Sequence, residues 1–210
     1  DTPSLCLNQT LENSGNISSQ RLAIAALSAL NQGQLLGVDD LQLTLIDQLD
    51  NRSQIGGSGT VQVTANNVQQ AGSLEGRQVG VNAAVLDNQG KVLGLDALTL
   101  SIGDSLTNRQ NGKLLSAGLA TFNAARSVNQ GEWQANALVL QGNQLINTGR
   151  IQGDHGISVA LNATTSPSKL LNQGTLVSGG DSQISANAIE NSGTLSTLGK
   201  ATLTGDTLLN

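Results

Sequence analysis

The strongest constraint on this chain is a line of sequence that recurs along its length: an asparagine, any residue, a glycine, any residue, then an aliphatic residue. Aligned on the glycine, or on the residue in its place, the anchors are Gly15, Gly33, Ser53, Gly72, Gly90, Gly112, Gly131, Gly149, Gly174 and Gly193. The steps run from 18 residues (Gly15 to Gly33) to 25 (Gly149 to Gly174). Two places past each anchor stand Ile17, Leu35, Ile55, Leu74, Val92, Leu114, Trp133, Ile151, Leu176 and Leu195. All ten are apolar in a chain that is 38% hydrophobic, so the spacing is not accidental. A fixed period of this size marks a repeat architecture.

A second apolar cluster follows in most units with strict alternation, as in Leu41, Leu43 and Leu45, or Val79 and Val81. A third apolar position precedes the asparagine, as in Leu11, Leu49, Leu86 and Leu145. Alternation with period two is the signature of a strand with one buried face. Each unit therefore reads as three short strands separated by Gly, Asn, Ser or Asp, residues that tolerate tight or left-handed backbone. That unit is one coil of an all-β parallel β-helix, a solenoid of ten to eleven coils of ~19 residues rising ~4.8 Å per coil. Residues 1–210 read as a single β-helix segment.

The asparagines recur at one bend: Asn13, Asn31, Asn51, Asn88, Asn108, Asn129, Asn147, Asn172, Asn191 and Asn210, with Gln70 in the remaining unit. Asparagine accepts left-handed geometry, and stacked amides can hydrogen-bond one another along a rod. A structural ladder is expected there rather than a ligand site. Two units are irregular. NRQNG at Asn108–Gly112 is a small bulge, and the segment 162–169 lengthens one coil as a protruding loop insertion. Within that loop Thr164, Thr165, Ser166, Pro167, Ser168 and Lys169 form a candidate contact segment.

Composition narrows the function. One Trp, one Phe and no Tyr leave little of what usually anchors a binding surface. A net charge of -5 and a pI near 4.6 argue against nucleic acid as a partner. No apolar stretch approaches the ~18 residues of a membrane span. DTPSLCLNQT has neither a basic n-region nor an apolar h-region, so no signal peptide is read there. This leaves a cytosolic protein or an internal piece of a larger one. The single cysteine, Cys6, excludes a disulfide framework.

Chemistry is hard to place. Asp39-Asp40 and Asp154-His155 are the acid–base groups that a β-helix hydrolase would recruit, but they fall in coils two and eight, ~29 Å apart at ~4.8 Å per coil. An acid and a base on one glycosidic bond lie within ~10 Å. His155 has no second His or Cys to complete a transition-metal site. No cofactor or metal is expected, and the chain is expected not to be an enzyme. Trp133 could be a surface aromatic, yet it occupies the column that holds aliphatic residues in every other coil, which places it in the core.

The pattern in LENSGNISSQRLAIAA (Leu11–Ala26) and IENSGTLSTLGKATLTG (Ile189–Gly205) resembles the repeats of filamentous haemagglutinins, and the resemblance covers essentially the whole chain. It implies a right-handed parallel β-helix and a protein secreted to the Gram-negative cell surface through an outer-membrane two-partner secretion transporter. Such exoproteins are adhesins or contact-dependent growth inhibition effectors. The NPNL, NPNGI and VENN motifs of the family's other regions are missing, so this looks like a slice of the central repeats. The expected function is a non-enzymatic shaft that projects adhesive or toxic parts. The alternative is a module that contacts a cell-surface receptor or glycan through the 162–169 loop or a lateral face. A monomer is expected, apart from end-to-end association through raw strand edges.

Overall fold

A period of two in the hydrophobic pattern gives strands. A return to the same pattern every coil stacks each strand on its equivalent. The computed structural model describes residues 4–162 and 167–210, so Thr164, Thr165 and Ser166 of the expected loop lie outside the described residues. Its 21 strands form one continuous sheet in which every pairing is parallel, wound into about 11 turns of ~19 residues. The architecture is all-β, a parallel solenoid.

Each coil has three faces. The first begins after the glycine corner (Gln34–Gly37 is an example), the second carries the longer alternation, and the third ends on the asparagine. Towards the ends of the rod these are mostly separate strands, such as Gln48–Asn51, Gln54–Gly57 and Thr60–Thr64. In the middle, Ser73–Asn88, Lys91–Asn108, Lys113–Asn129 and Glu132–Asn147 each run through two corners without a break. The corners there are marked only by register shifts, for example between Gly76 and Gln78. At these corners one or two residues drop out of the register and pairing resumes at once, so the strand does not end.

Register places like on like. One inward column of the second face runs Ile24, Leu43, Val63, Val81, Leu100, Phe122, Leu140, Val159 and Ile184. The first face stacks Leu35, Ile55, Leu74, Val92, Leu114, Trp133, Ile151 and Leu176, all buried. Phe122 and Trp133 sit in neighbouring coils and meet edge to face, ring centroids 5.2 Å apart at 84°. Their bulk is matched by small inward neighbours: Ala120, Ala124 and Ser127 share the coil of Phe122, and Ala135 and Gly142 share that of Trp133. A stacked rod keeps a near-constant cross-section, so a large side chain in one column requires small ones beside it.

The corner glycine has a different cause from the one expected. Among the described residues no non-glycine has positive φ, and Gly142 is the one glycine that does. A Cβ on Gly149 would instead run into the carbonyl oxygen of Gly131, one coil earlier. Close approach of stacked backbones, not left-handed geometry, selects glycine there.

Ser182 is the misfit of the core. It is 1% exposed, faces Ile157 across the register, and its hydroxyl has no partner. The same column holds Val61 and Val79 in other coils. Ser182→Val removes an unsatisfied buried group and adds apolar burial, and is expected to stabilise the fold by about 1–2 kcal/mol. A higher urea midpoint at unchanged m-value is the measurement; an unchanged or lower midpoint contradicts the assignment.

Candidate functional site: the amide ladder and the coil surfaces

The third face ends with its last side chain pointing inward, because two residues earlier the aliphatic side chain does the same. The asparagines are therefore buried rather than displayed: Asn31, Asn51, Asn88, Asn108, Asn129, Asn147 and Asn172 are 0% exposed. Each Nδ2 donates to the Oδ1 of the next coil at 2.7–2.9 Å, from Asn13 to Asn31 to Asn51, and from Asn88 through Asn108, Asn129, Asn147, Asn172 and Asn191 to Asn210. Most also donate to a first-face carbonyl, as Asn129 does to Arg150 O at 3.0 Å. The corner backbone closes around them, with Thr148 and Gly149 both donating to Asn129 O. With one exception the ladder uses these donors and acceptors internally, and it turns none of them towards a ligand.

The ladder is broken once. Asn51 donates to Gln70 Oε1 at 2.9 Å, but Gln70 Nε2 reaches only Lys91 O at 3.4 Å, and the buried Asn88 Oδ1 has no partner.

The expected contact segment is partly absorbed into the rod. Ser168 is 1% exposed; its N–H and hydroxyl both donate to Asn187 Oδ1, and its Oγ accepts from Asn187 N–H. Lys169 opens the strand Lys169–Asn172, pairs in register with Gln144 and Ala188, and places Nζ 2.8 Å from Glu190. Ser168 and Lys169 thus do not protrude, because strand pairing has already resumed at Lys169. Pro167 is exposed.

Among the outward charges, Lys91–Glu75, Lys113–Glu132 and Arg109–Asp87 pair across coils, and Arg52–Asp50 pairs across a turn. Hydrogen bonding to Asp50 and Asp87, and then their charge, raises the pKa of the Arg52 and Arg109 guanidinium groups. These exposed pairs fix side-chain orientation more than stability.

Asp40 accepts from Thr60 N–H, and Asp154 accepts from Gln152 Nε2 at 2.6 Å. Their second-face strands are six register steps apart, from Leu41 through Val61, Val79, Leu98, Ala120 and Leu138 to Ile157. At ~4.8 Å per step the two carboxylates are ~29 Å apart and do not form one site. Among the described residues no group of three or more His, Cys, Asp or Glu could hold a metal ion, and no helix is long and apolar enough to cross a membrane.

No family model matches the sequence, and no solved structure matches it. Curated proteins do. The chain is 40% identical over 157 residues to the deoxyribonuclease CdiA of Dickeya dadantii (strain 3937), covering 73% of this chain and 5% of that protein. It is 30% identical over 196 residues to the tRNA nuclease CdiA of Escherichia coli (strain NC101), covering 89% and 6%. It is 31% identical over 219 residues to the toxin CdiA of Escherichia coli, covering 95% and 7%. The chain thus spans only a small fraction of the length of the curated relatives it matches.

These names correct two expectations, that the chain is not an enzyme and that nucleic acid is no partner: relatives of this sequence are named as nucleases of DNA and of tRNA. Both expectations came from side chains and charge within residues 1–210, a span that matches only 5% and 6% of the length of those two relatives. With the solenoid, its ladder and these relatives together, the chain belongs to the filamentous haemagglutinin-like repeat regions of two-partner secretion exoproteins, alongside the CdiA proteins of contact-dependent inhibition.

Proposed function

We propose that this chain is a shaft segment, one β-helix over residues 1–210, of a CdiA-like exoprotein. The parent protein is secreted through its outer-membrane partner transporter, stands on the surface of a Gram-negative cell, and carries a nuclease that acts on nucleic acid in the target. The observation that carries this reading is the unbroken parallel ladder running from coil to coil along the whole sheet. A rod with its backbone hydrogen bonds along its axis resists bending and spans distance with few residue types. Exposed Leu203, Leu208 and Leu209 on the final coil favour end-to-end association of the isolated chain. Contact with a receptor or glycan through the 162–169 segment gains no support from Ser168, which is buried, or from Lys169, which is paired.

The test is made in the full-length parent, with inhibition of target cells as the readout. Replacing this segment by a flexible Gly/Ser linker of equal residue number is expected to abolish inhibition while export continues. Removing residues 34–53, one whole coil that rejoins Gly33 to Gln54, is expected to leave inhibition largely intact. Full inhibition by the linker variant contradicts the shaft reading.

A further inference from the structure

Three features converge on a single joint of the rod, between the coil ending at Gln70 and the coil ending at Asn88. The first is the ladder. Gln70 is one methylene longer than asparagine, so its Oε1 still meets Asn51 Nδ2 while its Nε2 overshoots, and Asn88 Oδ1 is left buried without a donor. The second is the core. Across this joint the second face packs Val61, Val63 and Ala65 against the coil of Val79, Val81 and Ala83. One joint earlier the partners of the same valines are Leu41 and Leu43, and one joint later Val79, Val81 and Ala83 meet Leu98, Leu100 and Ile102. The third is charge. Among the described residues no ion pair crosses this joint or the one before it, whereas Arg77–Asp96, Lys91–Glu75 and Arg109–Asp87 all cross the next.

In a solenoid, stability is the sum of coil terms and nearest-neighbour interface terms, so the weakest interface decides where the rod opens. Here the orphaned acceptor falls on an interface whose second face packs only valine and alanine from both coils, with no ion pair across it. We propose that this joint is a built-in breakpoint, at which the rod separates into two cooperative blocks, one ending at Gln70 and one beginning at Ser73, before either block unfolds. The inference goes beyond the shaft reading and does not depend on it. A breakpoint localises strain: a load or a partial denaturant opens this joint and leaves the coils on both sides stacked.

Native-state hydrogen exchange on the full chain at low denaturant tests it. Three amides hold the same corner position in successive joints: Ala71 N–H on Asn51 O, Gln89 N–H on Gln70 O, and Arg109 N–H on Asn88 O, at 2.8, 2.7 and 2.8 Å. Their hydrogen bonds are alike, so differences in protection report the joints rather than the bonds. Gln89 is expected to be protected at least tenfold less than Ala71 and Arg109, the scale set by one unsatisfied buried acceptor. Gln70→Asn, which restores the donor to Asn88, is expected to raise the protection of Gln89 roughly tenfold. Equal protection at the three positions in the unmodified chain overturns the proposal whether or not the variant folds, and so does a folded Gln70→Asn chain whose Gln89 protection is unchanged.

Discussion

Trp133→Ala is expected to cost about 3–5 kcal/mol of stability, the range of a fully buried large aromatic cut back to a methyl group. Trp133 is 0% exposed, stacks between Leu114 and Ile151 in register, and meets Phe122 edge to face. The surrounding coils cannot collapse into the space, because each is held above and below by its own ladder of backbone bonds. Trp133→Leu is expected to cost distinctly less. It restores the side-chain type of the column and removes the indole Nε1, which is buried without a partner. Urea midpoints at constant m-value give both numbers. A Trp133→Ala change of less than about 1 kcal/mol would place the indole outside the load on the core.

The second large effect is expected in the ladder. Asn129 accepts from Asn108 Nδ2 at 2.9 Å, donates to Asn147 Oδ1 at 2.9 Å and to Arg150 O at 3.0 Å, and is 0% exposed. Asn129→Ala strands Asn147 Oδ1 and removes the acceptor of Asn108. At about 1–3 kcal/mol for each unsatisfied buried group, the loss is expected to reach roughly 3–5 kcal/mol. Asn129→Gln is the informative companion. It should reproduce the defect already present at Gln70, keeping the bond from the preceding coil and losing the one to the next, at about half the cost of alanine. Were alanine and glutamine to cost the same few tenths of a kcal/mol typical of a surface change, the amides would not be acting as a ladder.

Much of the fold can be read from residues with one job. Leu41, Leu43 and Leu45 alternate, and the aliphatic residue two past each corner glycine always points inward, so strand faces and coil length follow from period alone. The coil of Ala120 and Phe122 is harder to see, since neither alanine nor a lone phenylalanine looks like a Leu/Val alternation. Its inward set makes sense only beside Trp133 in the next coil. The corner glycines are visible in the sequence, but their cause is not: the neighbour that excludes a Cβ from Gly149 is Gly131 O, one coil away. Ser168 looks like loop sequence until its partner Asn187 is placed beside it. The ladder break is of the same kind. Gln70 fills the right position with the right chemistry, and only the length of its side chain against a fixed coil spacing leaves Asn88 without a donor. The nuclease names of the relatives have no counterpart in the repeat, because side chains that stack coil on coil carry no mark of nucleic-acid chemistry.

The central claim is that equivalent residues climb the rod by one coil spacing per repeat. Gln42, Gln62, Gly80, Thr99, Thr121, Val139 and Ser158 are successive register partners on the outward side of the second face. Cys6 is the single cysteine, so spin labels can be placed in a Cys6→Ser background at Gln42 and, in turn, at Thr121, Val139 or Ser158. Pulsed electron spin resonance should then give separations of ~19, ~24 and ~29 Å, rising by ~4.8 Å for each coil added. Distances that do not rise in equal steps, or that stay constant as the second label moves from Thr121 to Ser158, would contradict the solenoid and everything built on it.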